Sequence, residues 1–223
     1  MNSSINHARI VAMIWGIADD VLRDLYVRGK YRDVVLPFTV LRRLDSVLEP
    51  TRDAVIEMKK TLDDAGIANQ DGPLRSAAQQ DFYNTSGFTL KDLRSTANLM
   101  RLRQNFEAYL DGFSPNVQEI IDNFEFRNQL PRLTKADALG SLIEKFLQPD
   151  LDLSPSGLDN HGMGTVFEEL VRRFNEENNE EAGEHWTPRD AVRLMTRLMF
   201  EPVADKIPSG TYRLFDGAMG TGG

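Results

Sequence analysis

The chain has 223 residues, of which 41% are hydrophobic and 27% are charged, and its formal net charge is −8. This length and balance are ordinary for a globular chain with a sizeable core, and they exclude a disordered or collagen-like composition. The acidic charge argues against a free-standing DNA-binding protein, because phosphate neutralisation by basic residues supplies much of such a protein's affinity.

The amino-terminal region is predicted to be helical. Apolar residues recur at helical spacing between positions 6 and 28, which predicts a helix with Trp15 packed against a second helix. The next helix is expected to begin near Pro37, since proline fits a first turn. Pro50 should break or kink that helix, and a helical pattern resumes from Val55 to Gly66.

Basic side chains cluster in this region, and the cluster has two interpretations. Either it contacts DNA phosphates, or it forms a solvated face with the acids Asp33, Asp45 and Glu49. The solvated face is favoured. The basic residues are Arg28, Lys30, Arg32, Arg42 and Arg43.

Residues 67–86 are rich in Asn, Gln, Asp, Gly and Ser, which predicts a long loop. Phe82, Tyr83 and Asn84 are expected to form a short extended piece whose aromatic rings pin the loop to the core. Stacking of these rings on unpaired bases is the alternative.

Later helices have recognisable start signals. Thr89 with Asp92, and Thr134 with Asp137, have the spacing of a capping box, and Ser114 stands before a first-turn proline. Residues 148–157 contain prolines, serines and a glycine and are the best linker candidate. The predicted domains are therefore residues 1–155 and 156–223.

The second domain is expected to begin with two helices. One covers residues 164–177, and the glutamates at and beyond its end predict a solvated acidic surface, because the fixed ligand offsets of a calcium or magnesium loop are absent. Thr187 is the predicted capping residue of the second helix, which is expected to continue to Pro202. The free amides and positive dipole end of such a start also favour an anionic ligand.

The last residues combine a β-prone run with a glycine-rich turn. Tyr212, Leu214 and Phe215 predict a buried strand that ends at Asp216. A P-loop lysine is absent and a dinucleotide fingerprint is incomplete. A carboxylate here repels a pyrophosphate but suits the ammonium of S-adenosylmethionine, and glycines let a ligand approach the backbone. A plain glycine turn is the alternative.

Three ordered motifs resemble the modification (M) subunits of type I restriction-modification systems, which are adenine-N6 DNA methyltransferases. Residues 216–223 are similar to the family's first S-adenosylmethionine motif, residues 183–190 to its second cofactor element, and residues 34–45 to its amino-terminal helical domain. Gly217, Met219 and Trp186 stand where the family usually has proline, cysteine and tyrosine.

The resemblance implies a mainly α chain: an amino-terminal helical domain followed by the truncated beginning of an α/β S-adenosylmethionine-dependent methyltransferase domain. It also implies DNA, a specificity subunit, a restriction subunit and a second modification subunit as partners. The implied cofactor-binding residues are Glu184, His185, Trp186, Thr187, Pro188, Arg189, Asp216, Gly217, Gly220, Thr221, Gly222 and Gly223.

No catalytic residue is expected in this chain. The family's Asn/Asp-Pro-Pro-aromatic loop accepts hydrogen bonds from the adenine amino group, and the sequence contains no Pro-Pro dipeptide. Residues 1–223 alone are therefore expected to be inactive.

Two other functions stay open: a helical interaction module that binds no cofactor, and a truncated nicotinamide-dependent oxidoreductase. A metal site is not expected, because His7, His161 and His185 share no ligand spacing. The sequence has no cysteine, which excludes disulfides and agrees with a cytoplasmic protein.

Overall fold

The computed structural model describes residues 2–96, 98–177, 189–207, 215 and 217. The described chain is mainly α, as predicted, and it divides into one unit through Phe174 and another from Asn175. Its α-helices are α1 (Asn2–Leu22), α2 (Arg32–Leu48), α3 (Arg52–Asp64), α4 (Asp71–Ala78), α5 (Leu90–Arg94), α6 (Leu99–Asp111), α7 (Pro115–Asn123), α8 (Leu130–Lys135), α9 (Ala138–Phe146), α10 (Asn160–Glu177) and α11 (Arg189–Phe200).

Helix α1 presents its apolar stripe to the core, as its periodicity predicts. Ile10, Ile14 and Ile17 are buried. Trp15 lies at the margin of this stripe, and its ring centroid is 4.9 Å from that of Phe174 on α10. The prediction that the indole packs against a second helix is therefore confirmed.

Helix α2 begins at Arg32, so the prediction of a start near Pro37 is wrong. The amides of Val34 and Val35 already bond the carbonyl of Tyr31, at 3.1 and 2.9 Å. Pro37 is buried inside the helix, because the burial of the apolar side chains around it outweighs the loss of one backbone hydrogen bond. The predicted break at Pro50 is confirmed, since a 3₁₀ turn at Glu49–Thr51 separates α2 from α3.

The core of the first unit is built around Phe38. Its ring centroid lies 4.9 Å from that of Phe146, 6.0 Å from Phe106 and 6.1 Å from Phe126. All of these rings are fully buried. Helices α2, α6 and α9 and the 3₁₀ turn Phe126–Gln129 therefore meet at one aromatic cluster.

The predicted long loop at 67–86 contains helix α4, so this prediction is wrong for residues 71–78. Leu74 and Ala78 are one helical turn apart and both are buried, and Arg75 bonds Asp71 at 2.8 Å. The extended piece is confirmed: Asn84 forms an isolated antiparallel bridge with Phe113. Tyr83 is buried, which supports the prediction that the aromatic pair pins this segment to the core.

The capping predictions have mixed outcomes. The box at the start of α5 is confirmed, since the amide of Asp92 donates to Thr89 Oγ1 at 3.1 Å and the amide of Thr89 donates to Asp92 Oδ2 at 2.8 Å. The box at Thr134 is wrong, because that residue lies inside α8 and donates to the carbonyl of Leu130 at 2.8 Å. Ser114 does precede α7, although its hydroxyl makes no capping bond.

Residues 147–159 connect α9 to α10. Leu151, Leu153 and Leu158 of this connection are buried in the core of the first unit. Helix α10 begins at Asn160, four residues before the predicted start at 164, and buries Phe174 together with Val166 and Leu170, as predicted. The domain boundary near residue 155 stays a prediction.

In the second unit, α11 forms where a helix is predicted and is followed by a 3₁₀ turn at Glu201–Lys206. Its apolar side chains, including Leu194, Leu198 and Met199, are exposed. Phe215 is 95% exposed and adopts no regular structure, which differs from the predicted buried strand. A strand needs a neighbour for its backbone hydrogen bonds, and the described residues offer it none. Tyr212 and Leu214 lie outside the described residues.

No helix within the described ranges is long and apolar enough to cross a membrane.

Candidate functional site

The predicted cofactor residues fall in two segments, and the structure describes one residue of each, Arg189 and Gly217. Whether the two segments meet stays a prediction. The other predicted residues lie outside the described ranges: Glu184, His185, Trp186, Thr187, Pro188, Asp216, Gly220, Thr221, Gly222 and Gly223.

Arg189 is the first residue of α11. The described part of α11 therefore lies within the helix that the sequence predicts from the Thr187-Pro188 pair, and the capping role of Thr187 stays a prediction. The first four amides of an α-helix have no acceptor within the helix, and the dipole makes this end electropositive. Such an end suits a carboxylate, and the binding of the amino acid part of S-adenosylmethionine at the start of this helix stays a prediction.

Gly217 lies in a turn. A Cβ atom added to it would meet Cε1 of Phe215 at 3.4 Å, which is an ordinary van der Waals contact. The contact with Phe215 therefore does not require glycine here.

The acidic residues at the end of α10 hold no metal site that the structure describes. Glu176 and Glu177 are exposed, and no group of three potential ligands occurs in the described ranges. Glu180 and Glu181 lie outside those ranges.

The basic residues of the predicted cluster bond groups of their own chain. Arg28 pairs with Asp19 at 3.5 Å, and Lys30 and Arg32 each lie 3.7 Å from Asp33. These side chains form the ion-paired surface that the sequence favoured over a phosphate patch.

Arg43 departs from that prediction, since it is only 7% exposed. Its guanidinium donates to the carbonyls of Leu153 and Leu158 at 2.8 and 2.7 Å. Burial lowers the pKa of Arg43, although nearby Asp159 and Asp152 oppose the change. An arginine stays protonated under such a shift, so a charged group lies inside the unit with its acceptors in place.

A groove lies between α2, α3 and the segment before α5. It encloses about 370 Å³, counted with the solvent at its mouth, and Asp45 and Tyr109 lie in its wall. Tyr109 Oη donates to Asp45 Oδ1 at 3.3 Å, and the amide of Leu90 donates to the same oxygen at 3.2 Å. Burial raises the pKa of Asp45, and it raises that of Tyr109 well above the usual range.

Other polar groups of this groove also bond the chain itself. Asn84 Nδ2 donates to the carbonyl of Tyr109 at 2.9 Å, and Arg52 bonds the carbonyl of Gly87 and the carboxylate of Asp92. These bonds hold the segment before α5 against α3 and α6. The groove is therefore a structural network, and we assign it no ligand.

Comparison with known families decides the identity. Residues 10–146 match the family model of the HsdM N-terminal domain. The chain belongs to the HsdM family, the modification subunits of type I restriction-modification systems. In this HsdM chain, residues 158–223 match the N-6 DNA Methylase family, so the helical domain is followed by the beginning of a methyltransferase domain. No curated protein and no solved structure gave a match.

The second match also decides between the functions that the sequence left open. A methyltransferase model covers the region that contains both predicted cofactor segments. It supports the methyltransferase over the interaction module and the nicotinamide-dependent oxidoreductase.

The buried role of Arg43 differs from the solvated side chain predicted for it, although the sequence contains a signal for burial. Leu36, Thr39, Arg43 and Ser46 recur at helical spacing on α2, and all of them are buried. An arginine in line with residues of a buried face predicts internal hydrogen bonding rather than a solvated side chain.

Proposed function

We propose that this HsdM chain contributes to an adenine-N6 DNA methyltransferase that uses S-adenosylmethionine. The observation that carries the proposal is the order of the two family matches, an HsdM N-terminal domain at 10–146 followed by an N-6 DNA Methylase region at 158–223. Bound S-adenosylmethionine supplies the methyl group.

The chain's own contribution is to hold and orient this cofactor. The start of α11, after Thr187, receives the carboxylate, because helix amides and dipole favour an anion. Asp216 accepts the ammonium group, since opposite charges attract. Glycines 217, 220, 222 and 223 keep the backbone accessible, and Glu184, His185, Trp186 and Thr221 complete the walls of the site.

DNA, a specificity subunit, a restriction subunit and a second modification subunit are the proposed partners. The formal charge of −8 supports this assembly, because an acidic chain needs partners that attract the DNA phosphates. The absence of cysteine agrees with work in the reducing cytoplasm.

Residues 1–223 alone are proposed to transfer no methyl group. The target adenine must leave the base stack to reach the methyl donor, and it then needs acceptors for its amino group. The family's Pro-Pro loop supplies them, and the 223 residues contain no Pro-Pro dipeptide.

The test is methyl transfer to duplex DNA by an assembled complex of this subunit with its specificity subunit. Labelled S-adenosylmethionine is supplied, the DNA is digested, and the labelled nucleoside is identified. Label in N6-methyladenosine is expected, with none when residues 1–223 replace the subunit. Label in a methylated cytosine, or transfer by residues 1–223 alone, would overturn the proposal.

A variant pair tests the helix start. Thr187→Ala is expected to weaken S-adenosylmethionine binding in the complex, whereas Thr196→Ala is not. Thr196 is the matched control because it lies within α11, is exposed, and donates only to the carbonyl of Val192 at 2.8 Å. Equal affinity for all three proteins would exclude Thr187 from the cofactor site.

A further inference from the structure

Two adjacent arginines of α2 bind the two ends of the connection at residues 147–159. Arg42 Nε donates to the carbonyl of Phe146, the last residue of α9, at 3.1 Å. Arg43 Nη1 donates to the carbonyls of Leu153 and Leu158 at 2.8 and 2.7 Å, and its Nη2 donates to Asn160 Oδ1 at 2.7 Å. The second arginine therefore joins α2 to the first residue of α10.

The connection is anchored in the core by its leucines, whereas Asp150, Asp152, Pro155 and Ser156 are exposed. Leu151 and Leu153 are fully buried, and a Cβ atom added to Gly157 would meet Asp152 Oδ2 at 2.2 Å. Asp159 Oδ1 accepts from the amide of Gly162 at 2.6 Å, which caps the start of α10. A segment held in this way has little freedom to act as a hinge.

Side chains of α1 also contact α10 at two places. A Cβ atom added to Gly162 would meet His7 Nε2 at 2.7 Å, so the His7 side chain lies against the start of α10. Farther along both helices, Trp15 contacts Phe174, and the Arg173 guanidinium lies 5.2 Å from the Trp15 ring centroid. The contacts occur in the same order along α1 and α10, so the helices run in the same direction.

Helix α10 thus belongs to two regions at once. By sequence it lies within the N-6 DNA Methylase match, which begins at residue 158. By packing, the residues of α10 up to and including Phe174 belong to the first unit, and the helix continues to Glu177.

We propose that Arg43 is a positioning residue that locks α10 onto the helical domain, residues 10–146. The Arg43 clamp comprises Arg43 with Leu153, Leu158 and Asn160 as its acceptors. It fixes α10, the first helix of the methyltransferase match, to the helical domain, and this attachment is required for methyl transfer. This consequence for methylation rests on the proposed function; the clamp itself does not.

The chemistry explains why an arginine occupies this position. Its planar guanidinium presents several donors in a fixed fork and can satisfy three acceptors at once. A lysine ammonium is a compact charge on a flexible stem, and it cannot hold the same spread of acceptors with one fixed geometry. A positive charge alone is therefore not sufficient to hold these three acceptors in place.

The direct test is hydrogen–deuterium exchange on the 223-residue chain without cofactor. In Arg43→Met, the protection of α10 amides is expected to fall by about tenfold or more, because hydrogen bonds from a buried charge are lost. The protection of α3, α4 and α7 is expected to stay unchanged. Arg43→Lys should restore only part of the α10 protection.

Matched controls separate the clamp from a general loss of stability. Arg103→Met removes an arginine that pairs with Glu107 at 2.9 Å on α6 and has no bond to the connection, so α10 should keep its protection. Should Arg43→Met not fold, Asn160→Ala removes one acceptor at an exposed position, and it should lower protection at the start of α10. Unchanged α10 protection in the folded variants, or equal loss in all helices, would overturn the clamp.

A second measurement links the clamp to methylation in the assembled complex. Arg43→Met is expected to lower kcat for methyl transfer while the Kd for S-adenosylmethionine stays at the wild-type value. Equal kcat in the two complexes would overturn the positioning role. If the wild-type complex transfers no methyl group, the proposed function fails, whereas the exchange experiment still decides the clamp.

Discussion

The ring centroids of Trp15 and Phe174 lie 4.9 Å apart and join α1 to α10. Trp15 belongs to the region that matches the HsdM N-terminal domain, and Phe174 belongs to the region that matches the N-6 DNA Methylase family. The two family regions therefore share one hydrophobic core at this point.

Replacing Trp15 tests that shared core. Trp15→Leu removes the aromatic contact with Phe174 and the cation–π contact with Arg173, and the side chain is partly buried. We expect the free energy of unfolding to fall by about 1–3 kcal/mol. Urea denaturation followed by far-UV circular dichroism measures it. Trp15→Phe is the control and should lower the free energy of unfolding by less. An unchanged urea midpoint for Trp15→Leu would contradict the packing of Trp15 against Phe174.

The aromatic cluster gives a larger expected effect. Phe38→Ala should lower the free energy of unfolding by about 3–5 kcal/mol, because it leaves a cavity beside rings that cannot fully collapse. Phe38→Leu retains most of the side-chain volume and should lower the free energy of unfolding by less. The same chemical substitution at Phe200, which is exposed on α11, should leave stability within about 0.5 kcal/mol of wild type. Equal effects at the two phenylalanines would contradict the position of the core.

Two glycines are expected to respond in opposite directions to alanine. At Gly112 a Cβ atom would lie 2.5 Å from the backbone nitrogen of Ser86, so Gly112→Ala should destabilise by about 1–3 kcal/mol. At Gly140, inside α9, the nearest atom is Leu102 Cδ2 at 3.6 Å, so Gly140→Ala should stabilise by about 0.5–1 kcal/mol. Thermal unfolding of the pair checks both signs, and the same sign for both would refute the local geometry.

Asp45 predicts a pH dependence of stability. Burial raises its folded-state pKa above the ordinary value of 3.8, whereas the backbone amide of Leu90, the charge of Arg42 and the hydroxyl of Tyr109 oppose this and Glu49 adds to it. The folded chain therefore keeps a proton that the unfolded chain releases, and stability falls as pH rises through this window.

The test compares wild type with Asp45→Asn, which cannot titrate at this position. As pH decreases from about 7 towards the ordinary carboxyl pKa, wild type should gain stability relative to the variant. Urea titrations at several pH values measure the difference, and Asp53→Asn on α3 is the control. A constant difference between wild type and Asp45→Asn across this range would contradict the raised pKa.

Much of the helical architecture could be predicted from the spacing of apolar residues and from residues that typically begin or end helices. The apolar stripes of α1 and α10, the break at Pro50 and the capping box at Thr89 are local patterns, and the structure contains each of them. Local patterns succeed there because helix formation and burial require the same residues.

The failures occur where tertiary packing outweighs a local signal. Pro37 signals a first turn, but burial of the residues around it extends α2 back to Arg32. Residues 67–86 are mostly polar, and α4 buries only Leu74 and Ala78. Two apolar positions are too few to predict a helix there. For the cofactor site, the sequence predicted a helix after the cap Thr187, and α11 is described from Arg189 onward. The approach of the two cofactor segments depends on residues outside the described ranges and stays a prediction.

The most direct test of the central claim is calorimetric titration of S-adenosylmethionine into the assembled methyltransferase complex. Wild type and Asp216→Ala are compared, with Asp205→Ala, in the exposed 3₁₀ turn after α11, as the control. One-site binding is expected for wild type and the control, with Kd raised about tenfold or more in Asp216→Ala, because a charged hydrogen-bond acceptor for the ammonium is lost. Equal affinity for Asp216→Ala and wild type, or no binding by wild type, would contradict the assignment.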